Sequence, residues 1–356
     1  MSKNLKILHC ANFSIFKNAE AYYSMDRKIS HGLIQNGHLV YDFSYRDIAK
    51  AQRFLGFKKK SIQKMNQNLI DTCNNLKPDI LILGKCELIN SETLREIKNN
   101  NKDIKIIQWY VDFINTEKEI FFSKFNYIDL FLQSTATELE RLSINYPNII
   151  FSYLPNISDP SFDKNSNLEK EYDILYIARD NKEDNRYKFA KLLNNFCQKE
   201  KLKLKMYGSL GNPLVLGSKY YDEISKSKIV INFNREDNLE TFNKTKILGT
   251  SDRMNHFMGT GSCTFSPKIL DLDKLYKGNE HVVYFENIED CFKKIKETLI
   301  SKNYEIVGKN GQRKSYLISN AKRIAKFILD LELNQKDIKN YEWKEYIFKN
   351  GKRFTI

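Results

Sequence analysis

Several features that mark other protein classes are missing from this chain of 356 residues. No apolar run approaches the ~20 residues that a membrane-spanning helix needs. The start, MSKNLKILHCANFS, is too short and polar for a signal peptide and predicts a first strand. The six cysteines form no CxxC pair, which argues against a zinc site and favours reduced thiols in a cytoplasmic protein. GxxxxGKS/T, HExxH and GxSxG are also missing, so P-loop ATPase, metalloprotease and α/β-hydrolase functions lack their motifs.

The net charge is positive, since 58 Lys and Arg residues stand against 44 Asp and Glu, which gives +14. Such an excess suits anionic partners, among them nucleotide phosphates and anionic lipid headgroups. Lysine is spread over the whole chain with no dense basic block, and this favours a solvated surface. Nucleic acid is therefore not expected as a partner.

Short apolar strands alternate with amphipathic helices along the chain. Runs such as DILILG (79–84) and KIVINFN (228–234) are nearly continuous and rich in β-branched residues, which is typical of parallel strands buried on both faces. Helical spacing follows the strands, for example over 19–35 and 60–76. This alternation predicts an α/β protein with doubly wound parallel sheets, and the length favours two domains.

The polar segment 156–170 carries Pro160, breaks the alternation, and is the predicted linker. We expect an N-terminal Rossmann-like domain over 1–155 and a C-terminal one over 171–335. Residues 336–356 are basic and aromatic. They predict a last helix packed across the domain joint, and a membrane-surface helix is the alternative.

The most informative stretch is 251–280. Arg253 lies at a predicted helix start, where its positive charge works against the helix dipole and makes most sense if an anion binds. Gly259 and Gly261 precede an apolar strand and would allow backbone N–H groups to approach a phosphate. A plain helix-to-strand turn is the alternative for these glycines.

Further candidates follow strands, because ligands of open α/β sheets bind at the carboxyl ends of the strands. In the first half, Asp112 ends the strand KIIQWYVD and is the predicted catalytic base, with a helix N-cap as the alternative. The Asp-x-Asp at 271–273 does not directly follow an apolar strand, so we expect a solvated loop and no metal site. The ligand-binding candidates in the second half are Tyr207, Gly208, Asn232, Asn234 and Arg235, with the loop lysines Lys244 and Lys246 beside them.

Together these residues resemble a known family. Arg253, Gly261, the strand SCTFSP, Glu280, VVYF and the helix IEDCFKKIKETL follow the pattern of the glycosyl transferase group 1 C-terminal domain of CgeB-like proteins, which have the GT-B fold. HCANF, NGHLVYDFSYRD, KPDILILG and QWYVD resemble the first half of the same group. His256 stands where the family has a glutamate that contacts the donor's ribose. A histidine can donate or accept a hydrogen bond there but lacks the fixed charge.

The resemblance implies two Rossmann-like domains facing a central cleft and a metal-independent glycosyltransferase that needs no cofactor beyond its nucleotide-sugar donor. Arg253, His256, Gly259, Gly261 and Glu280 would then belong to the donor site. The second domain, with its strand-end candidates, would bind the donor, and the first domain would bind the acceptor. The acceptor would be a glycan, a lipid-linked sugar or a protein in bacterial surface polysaccharide, glycolipid or protein glycosylation. We expect a cytoplasmic enzyme with peripheral contact to the anionic inner membrane face. A non-catalytic nucleotide-sugar-binding protein, favoured by His256, and a sugar-nucleotide epimerase of the same fold are the alternatives.

Overall fold

The computed structural model describes residues 4–53, 56–112, 114, 119–234, 237, 246–333 and 335–354. The chain divides into two compact units: Met1–Pro155 with Ala321–Ile356, and Asn156–Asn320. Each unit contains one mainly parallel sheet with helices between its strands. The predicted α/β class with two doubly wound domains is confirmed.

The strands of the two sheets are, in chain order, β1 (Lys6–Ala11), β2 (Leu39–Ser44), β3 (Ile80–Gly84), β4 (Lys105–Tyr110), β5 (Leu130–Gln133), β6 (Ile150–Tyr153), β7 (Tyr172–Ile177), β8 (Leu204–Tyr207), β9 (Ser227–Ile231), β10 (Cys263–Pro267), β11 (Val283–Phe285), β12 (Ile347–Lys349) and β13 (Lys352–Arg353). The helices are α1 (Met25–Gln35), α2 (Tyr45–Ala51), α3 (Lys58–Leu76), α4 (Ser91–Asn100), α5 (Glu119–Phe122), α6 (Leu139–Asn145), α7 (Asn185–Lys199), α8 (Ser218–Ser225), α9 (Asp252–Gly259), α10 (Ile288–Ser301), α11 (Tyr304–Ser319) and α12 (Ala321–Leu333).

The first sheet has the strand order β13-β12-β6-β5-β4-β3-β1-β2. β1 to β6 are parallel, whereas β12 pairs antiparallel with β6 and β13 antiparallel with β12. The chain leaves β1 for β2 on one side and returns to the other side with β3. The strand order therefore reverses between β1 and β3, which is where open α/β sheets form a crevice.

The second sheet has the order β11-β10-β9-β7-β8, and all of its strands are parallel. Its order reverses between β7 and β9. Stacked aromatic rings fill the core beside these strands; the centroids of Phe189 and Phe233 lie 4.5 Å apart. Burying such rings provides much of the free energy that holds α7 on the sheet.

The predicted linker is wrong, because residues 156–170 form part of the second unit. Ile157 and Asp163 are fully buried. The Asp163 carboxylate accepts a 2.6 Å hydrogen bond from the Tyr221 hydroxyl, and the Ser158 hydroxyl donates to the Asn255 carbonyl at 2.7 Å. The segment is polar because its side chains form hydrogen bonds with buried groups of helices that are distant in sequence. Its polar composition alone therefore wrongly indicates a solvent-exposed linker.

The domain boundary near residue 335 is also wrong, because α12 belongs to the first unit. Gly32 of α1 lies against the start of α12, where a β-carbon on residue 32 would be 2.0 Å from the Ala321 carbonyl oxygen. This close helix contact explains why the chain returns to the first unit after Asn320.

The predicted tail helix over 336–356 is not observed either. After two 3-10 turns the chain forms the β12–β13 hairpin, which extends the first sheet. Trp343 is fully buried against Phe327 of α12 and Tyr341, with ring centroids 5.1 and 5.3 Å away. The aromatic residues of the tail are therefore core residues of the first unit.

Helix α1 begins at Met25, six residues later than the predicted start at residue 19. The Ser24 hydroxyl caps it by accepting from the Arg27 amide at 3.4 Å. The preceding residues form a connection with left-handed backbone at Ser14, Asn18 and Ala19. Within the described ranges, no helix combines the length and apolar character needed to cross a membrane.

The tail supplies a stability test. Trp343→Ala removes a fully buried ring and leaves a cavity, so we expect a loss of about 3–5 kcal/mol in the unfolding of the first unit by urea. Lys349→Ala, at an exposed position of β12, serves as the control and should change little. Equal, small effects for both variants would contradict a core role of the tail.

Candidate functional site

Arg253 lies in the first turn of α9 and reaches across the carboxyl ends of two neighbouring strands. Its Nη1 donates to the carbonyl of Ile177, the last residue of β7, at 2.5 Å. Its Nη2 donates to the carbonyl of Phe233, just beyond β9, at 3.0 Å. A guanidinium has five N–H donors, so these two bonds hold the group in place and leave donors for an anion.

A second guanidinium meets the same carbonyl. Arg186, in the first turn of α7, donates from Nε to the Phe233 oxygen at 3.2 Å and from Nη1 to the Arg179 carbonyl at 3.2 Å. Two like charges therefore converge where the strand order of the second sheet reverses. That arrangement is favourable when an anion binds between or beside them.

Sequence reasoning missed Arg186. The signal was available, since Arg186 follows the first strand of the second unit and begins a helix, as Arg253 does. The same dipole argument that selected Arg253 applies to it. Only the fold, however, shows that both side chains reach one carbonyl group.

Asn232 and Asn234 lie at this edge, as predicted. The Ser251 hydroxyl donates to Asn232 Oδ1 at 2.8 Å, which ties the start of α9 to the end of β9. Asn232 Nδ2 and Asn234 Oδ1 are buried and have no hydrogen-bond partner among the described residues. A buried polar atom without a hydrogen bond lowers the stability of the fold by about 1–3 kcal/mol. A polar ligand that bonds to the Asn232 Nδ2 donor and the Asn234 Oδ1 acceptor would remove this cost.

Tyr176 of β7 adds a third such atom. Its hydroxyl is fully buried and also lacks a partner within the described part of the chain. Burial raises the pKa of this hydroxyl, and the nearby charges of Arg253 and Arg186 act in the opposite direction. The group therefore stays protonated near neutral pH and can donate a hydrogen bond.

The end of β8 closes the other side of this edge. Gly208 has φ of +71°, and a β-carbon there would lie 2.8 Å from the Ala178 carbonyl oxygen. Ser209 donates a hydrogen bond to the Asp180 carboxylate, and the Asp180 amide donates to the Gly208 carbonyl at 3.3 Å. Gly208 thus lies at the predicted edge because only glycine permits this approach.

Tyr207, also predicted to bind donor, faces a different way. Its hydroxyl donates to Glu223 of α8 at 2.8 Å, and its side chain is buried. The ring therefore packs towards the helix layer, which fits the alternative of a residue at the edge of the core.

The long connection between β9 and α9 is anchored by a buried ion pair. Lys246 Nζ lies 2.9 Å from Asp237 Oδ1, and Asp237 Oδ2 accepts from the Asn234 amide at 2.6 Å. Lys246 therefore forms an ion pair with a carboxylate, which does not support its predicted contact with a phosphate. The other two candidates of this connection, Arg235 and Lys244, lie outside the described residues.

The glycine turn is not close to Arg253. The eight residues of α9 span about 12 Å, and Gly259 ends the helix at the amino edge of the sheet. The Gly259 carbonyl accepts from Tyr316 and Gln312 of α11 at 2.6 and 2.8 Å. Gly261, with φ of +76°, turns the chain into β10. The geometry fits the helix-to-strand turn.

Glu280 and His256 are not brought to the carboxyl edge either. Glu280 is exposed before β11, 3.3 Å from His281 and 3.7 Å from Lys277. His256 is 2% exposed and packs edge-on against Tyr220 of α8, with Nδ1 3.2 Å from its hydroxyl. A contact of either residue with a donor ribose stays a prediction.

Asp112 lies just beyond β4, at the carboxyl edge of the first sheet, as predicted. Its carboxylate forms an ion pair with Lys85 and is half exposed. Its role as the catalytic base stays a prediction.

A cavity of about 920 Å³ lies elsewhere. It lies in the first unit at the amino ends of β1 to β4, beside Leu5, His38 and Pro78, and against Leu329 of α12. Ligands of open α/β sheets bind at the opposite edge, so size alone does not mark the site. In the described ranges, no three His, Cys, Asp or Glu side chains are grouped to hold a metal ion.

Solved structures of the same architecture identify the fold. A glycosyltransferase from Rickettsia africae ESF-5 aligns with a TM-score of 0.60 at 11% identity, over 95% of this chain and 100% of that chain. Anabaena HepE in complex with UDP and glucose gives 0.59 at 9%, over 92% and 99%. Sucrose-phosphate synthase from Thermosynechococcus elongatus gives 0.57 at 9%, over 92% and 98%. The fold is GT-B.

The sequence model of a family described as "Glycosyl transferase-like" matches residues 186–329 of this GT-B chain. The match begins at Arg186 and includes Arg253, so both guanidinium groups lie inside it. It supports the broader glycosyltransferase resemblance, whereas the CgeB-like subgroup stays a prediction. No curated protein matches the chain.

The crowding at Gly208 can be tested with Gly211 as a matched control. Both have positive φ, but a β-carbon at Gly211 would meet nothing within 4 Å. Gly211→Ala should cost about 1 kcal/mol through backbone strain, and Gly208→Ala clearly more, because its β-carbon also clashes with the Ala178 carbonyl just beyond β7. Urea unfolding measures the difference, and equal losses would refute a tight junction between the ends of β7 and β8.

Proposed function

We propose that this protein is a glycosyltransferase that moves a sugar from a nucleotide-sugar donor, bound by the second unit, to an acceptor bound by the first. The observation that carries the proposal is the convergence of Arg253 and Arg186 on one strand-end carbonyl where the second sheet reverses its order. The family match covers both residues, and the GT-B fold agrees with it.

The chemistry of transfer needs what this edge offers. When the bond between the sugar and the diphosphate breaks, negative charge grows on the leaving diphosphate, and fixed positive groups lower that barrier. Arginine is suited to this task because its planar N–H pairs match phosphate oxygens. Since two guanidinium groups supply the charge, we propose that transfer proceeds without a bound metal or further cofactor.

The neighbouring amide groups would hold the rest of the donor. Asn232 Nδ2 can donate to a hydroxyl or phosphate oxygen, and Asn234 Oδ1 can accept from a hydroxyl. Three of the similar solved structures are complexes of HepE, one with UDP, one with UDP and glucose, and one with UDP-glucose. They favour a UDP-sugar as the first donor to test. We propose that the acceptor belongs to bacterial surface polysaccharide, glycolipid or protein glycosylation. The net positive charge of the protein would favour peripheral binding to an anionic membrane surface.

A non-catalytic nucleotide-sugar-binding protein is the second candidate. His256 occupies the position at which the resembled family has its ribose-binding glutamate, and here it is buried against Tyr220. Without that carboxylate, a bound donor would be held less firmly for reaction.

Nucleotide binding tests the proposed donor site. We expect UDP, GDP, ADP, CMP or dTDP to raise the melting temperature, since a ligand at about 100 times its Kd adds roughly 2.7 kcal/mol of stability. Arg253→Met and Arg186→Met should each weaken binding about 10- to 100-fold in calorimetric titration, through loss of a charge-assisted hydrogen bond.

The control is Arg141→Met, which removes an exposed arginine of the first unit that pairs only with Glu138 among the described residues. It should leave nucleotide affinity unchanged. Unchanged affinity in both second-unit variants would move the phosphate site elsewhere, and no binding of any nucleotide would count against a nucleotide-sugar function.

Product analysis separates the remaining functions. Incubation with the bound nucleotide-sugar and a panel of acceptors should give a glycosylated product and free nucleoside diphosphate. An altered sugar nucleotide formed without acceptor would indicate an epimerase. Tight binding without any turnover would favour the non-catalytic protein.

A further inference from the structure

Three polar atoms meet where the strand order of the first sheet reverses. They are Nε2 of His9 in β1, Oδ1 of Asp26 in the first turn of α1, and Nε1 of Trp109 in β4. All three are buried, and none makes a hydrogen bond of normal geometry within the described residues. Burying three such atoms together is costly unless a further polar group joins them.

The three atoms converge above Gly84, the last residue of β3. His9 Nε2 lies 3.8 Å from Asp26 Oδ1. A β-carbon on residue 84 would lie 2.3 Å from Asp26 Oδ1 and 2.7 Å from Trp109 Nε1, so only glycine fits there. One hydroxyl oxygen can lie about 2.8 Å from two atoms that are 3.8 Å apart, so a single hydroxyl can bridge His9 Nε2 and Asp26 Oδ1.

Hydrogen bonding fixes which of these atoms accept. Ser30 donates its hydroxyl proton to the Asp42 carboxylate at 2.6 Å, so its oxygen accepts from His9 Nδ1 at 2.8 Å. The neutral His9 ring therefore carries its proton on Nδ1, and Nε2 is an acceptor. Burial lowers the pKa of His9 to about 3, with the charge of Arg27 adding to the effect, so the ring stays neutral.

Asp26 is poised differently from His9. Burial, together with the charge of the neighbouring Asp42, raises the pKa of its carboxyl to about 7. The Asn12 amide, the Trp109 indole and the charge of Arg46 oppose this shift. Cys10, a further titratable neighbour, is a buried thiol whose own raised pKa keeps it neutral. A carboxyl that titrates near neutrality is well matched to accept a proton at physiological pH.

Access to these atoms is one-sided. His9 is fully buried and Trp109 is 5% exposed, whereas the Asp26 side chain keeps 13% of its surface exposed. A ligand therefore approaches past Asp26, at the carboxyl edge where open α/β sheets bind their ligands.

We propose that Asp26, His9 and Trp109 form the binding site for the reacting hydroxyl of the acceptor, and that Asp26 takes the proton of that hydroxyl. This inference rests on the proposed glycosyl transfer. The Trp109 N–H donates to the hydroxyl oxygen, and His9 Nε2 or Asp26 Oδ1 accepts from its proton. Asp26 rather than Asp112 is then the catalytic base, because Asp112 is half exposed and paired with Lys85.

The step balances as a single displacement. The acceptor O–H bond breaks, and its proton moves to Asp26 Oδ1. The acceptor oxygen forms a new bond to the anomeric carbon as the bond from that carbon to the diphosphate oxygen breaks. The nucleoside diphosphate leaves with the electron pair, and the anomeric configuration inverts because attack and departure are on opposite faces.

The activity test compares carboxylate and amide. Asp26→Asn should lower kcat about 10²- to 10⁴-fold, while the melting shift with nucleotide stays that of the wild type. The wild-type kcat should rise with pH through about 7, as Asp26 loses its proton, and the residual activity of the variant should lack this step. Asp71→Asn, an exposed α3 carboxylate bonded by Gln67, is the matched control and should keep full activity.

Trp109→Phe tests the hydroxyl site separately. It keeps the ring but removes the N–H, so KM for the acceptor should rise more than kcat falls. A full loss in Asp112→Asn with wild-type activity in Asp26→Asn would overturn the proposal. A product that retains the donor's anomeric configuration would also overturn the proposal. In that case the acceptor hydroxyl attacks from the same face as the leaving phosphate, so the phosphate oxygen, and not Asp26, is the group nearest to the hydroxyl proton.

Stability gives a readout that needs no substrate. The pKa of Asp26 is about 7 in the folded chain and about 3.9 when unfolded, so between these values the folded state binds the extra proton. Wild-type stability should therefore fall as pH rises from about 4 to 7, relative to Asp26→Asn, and then level off. A constant difference in melting temperature between pH 5 and 8 would overturn the buried state of Asp26 even if no transfer activity is found.

Discussion

The chain segments that follow two parallel strands beside a reversal in strand order run to opposite sides of the sheet, so the carbonyl groups at and just beyond the carboxyl ends of these strands cannot all be satisfied by backbone N–H groups. In the second unit Arg253 meets this constraint by donating to the carbonyls of Ile177 and Phe233. The bonds that complete the backbone also fix a positive charge in the crevice. Arg186 repeats the arrangement from the neighbouring helix, and the proposed phosphate site follows from these two contacts.

The first unit has the same reversal but a different solution. There the corresponding arginine, Arg27 of α1, donates to the Phe13 carbonyl at 3.3 Å, but the Asp42 carboxylate lies 3.7 Å from it and offsets its charge. Beside it the polar atoms of His9, Asp26 and Trp109 surround Gly84. One edge is therefore suited to an anion and the other to a neutral hydroxyl that must lose a proton. This division of chemistry matches what a transferase asks of a donor site and an acceptor site.

Sequence reasoning succeeded where local chemistry was sufficient and failed where distant contacts decided. The alternation of strands and helices predicted the fold, and the helix-dipole argument selected Arg253. The segment 156–170 was misread because Asp163 and Ser158 bond side chains and carbonyls far along the chain. Gly259 and Gly261 were grouped with Arg253 by proximity in sequence, although α9 carries them to the opposite edge of the sheet. Glu280 was grouped with them through the family resemblance, although it lies in the connection before β11.

The sequence by itself determined two α/β units, a basic surface and an arginine at the start of a helix in a glycosyltransferase-like segment. It determined these because strand and helix periodicity and helix-end electrostatics act over a few residues. Only the tertiary structure decided that Arg186 joins Arg253, that α12 returns to the first unit, and that Asp26 is buried beside His9 and Trp109. Such arrangements depend on which strand ends become neighbours, and burial by residues far apart in the chain then sets the proton affinity of a carboxyl group.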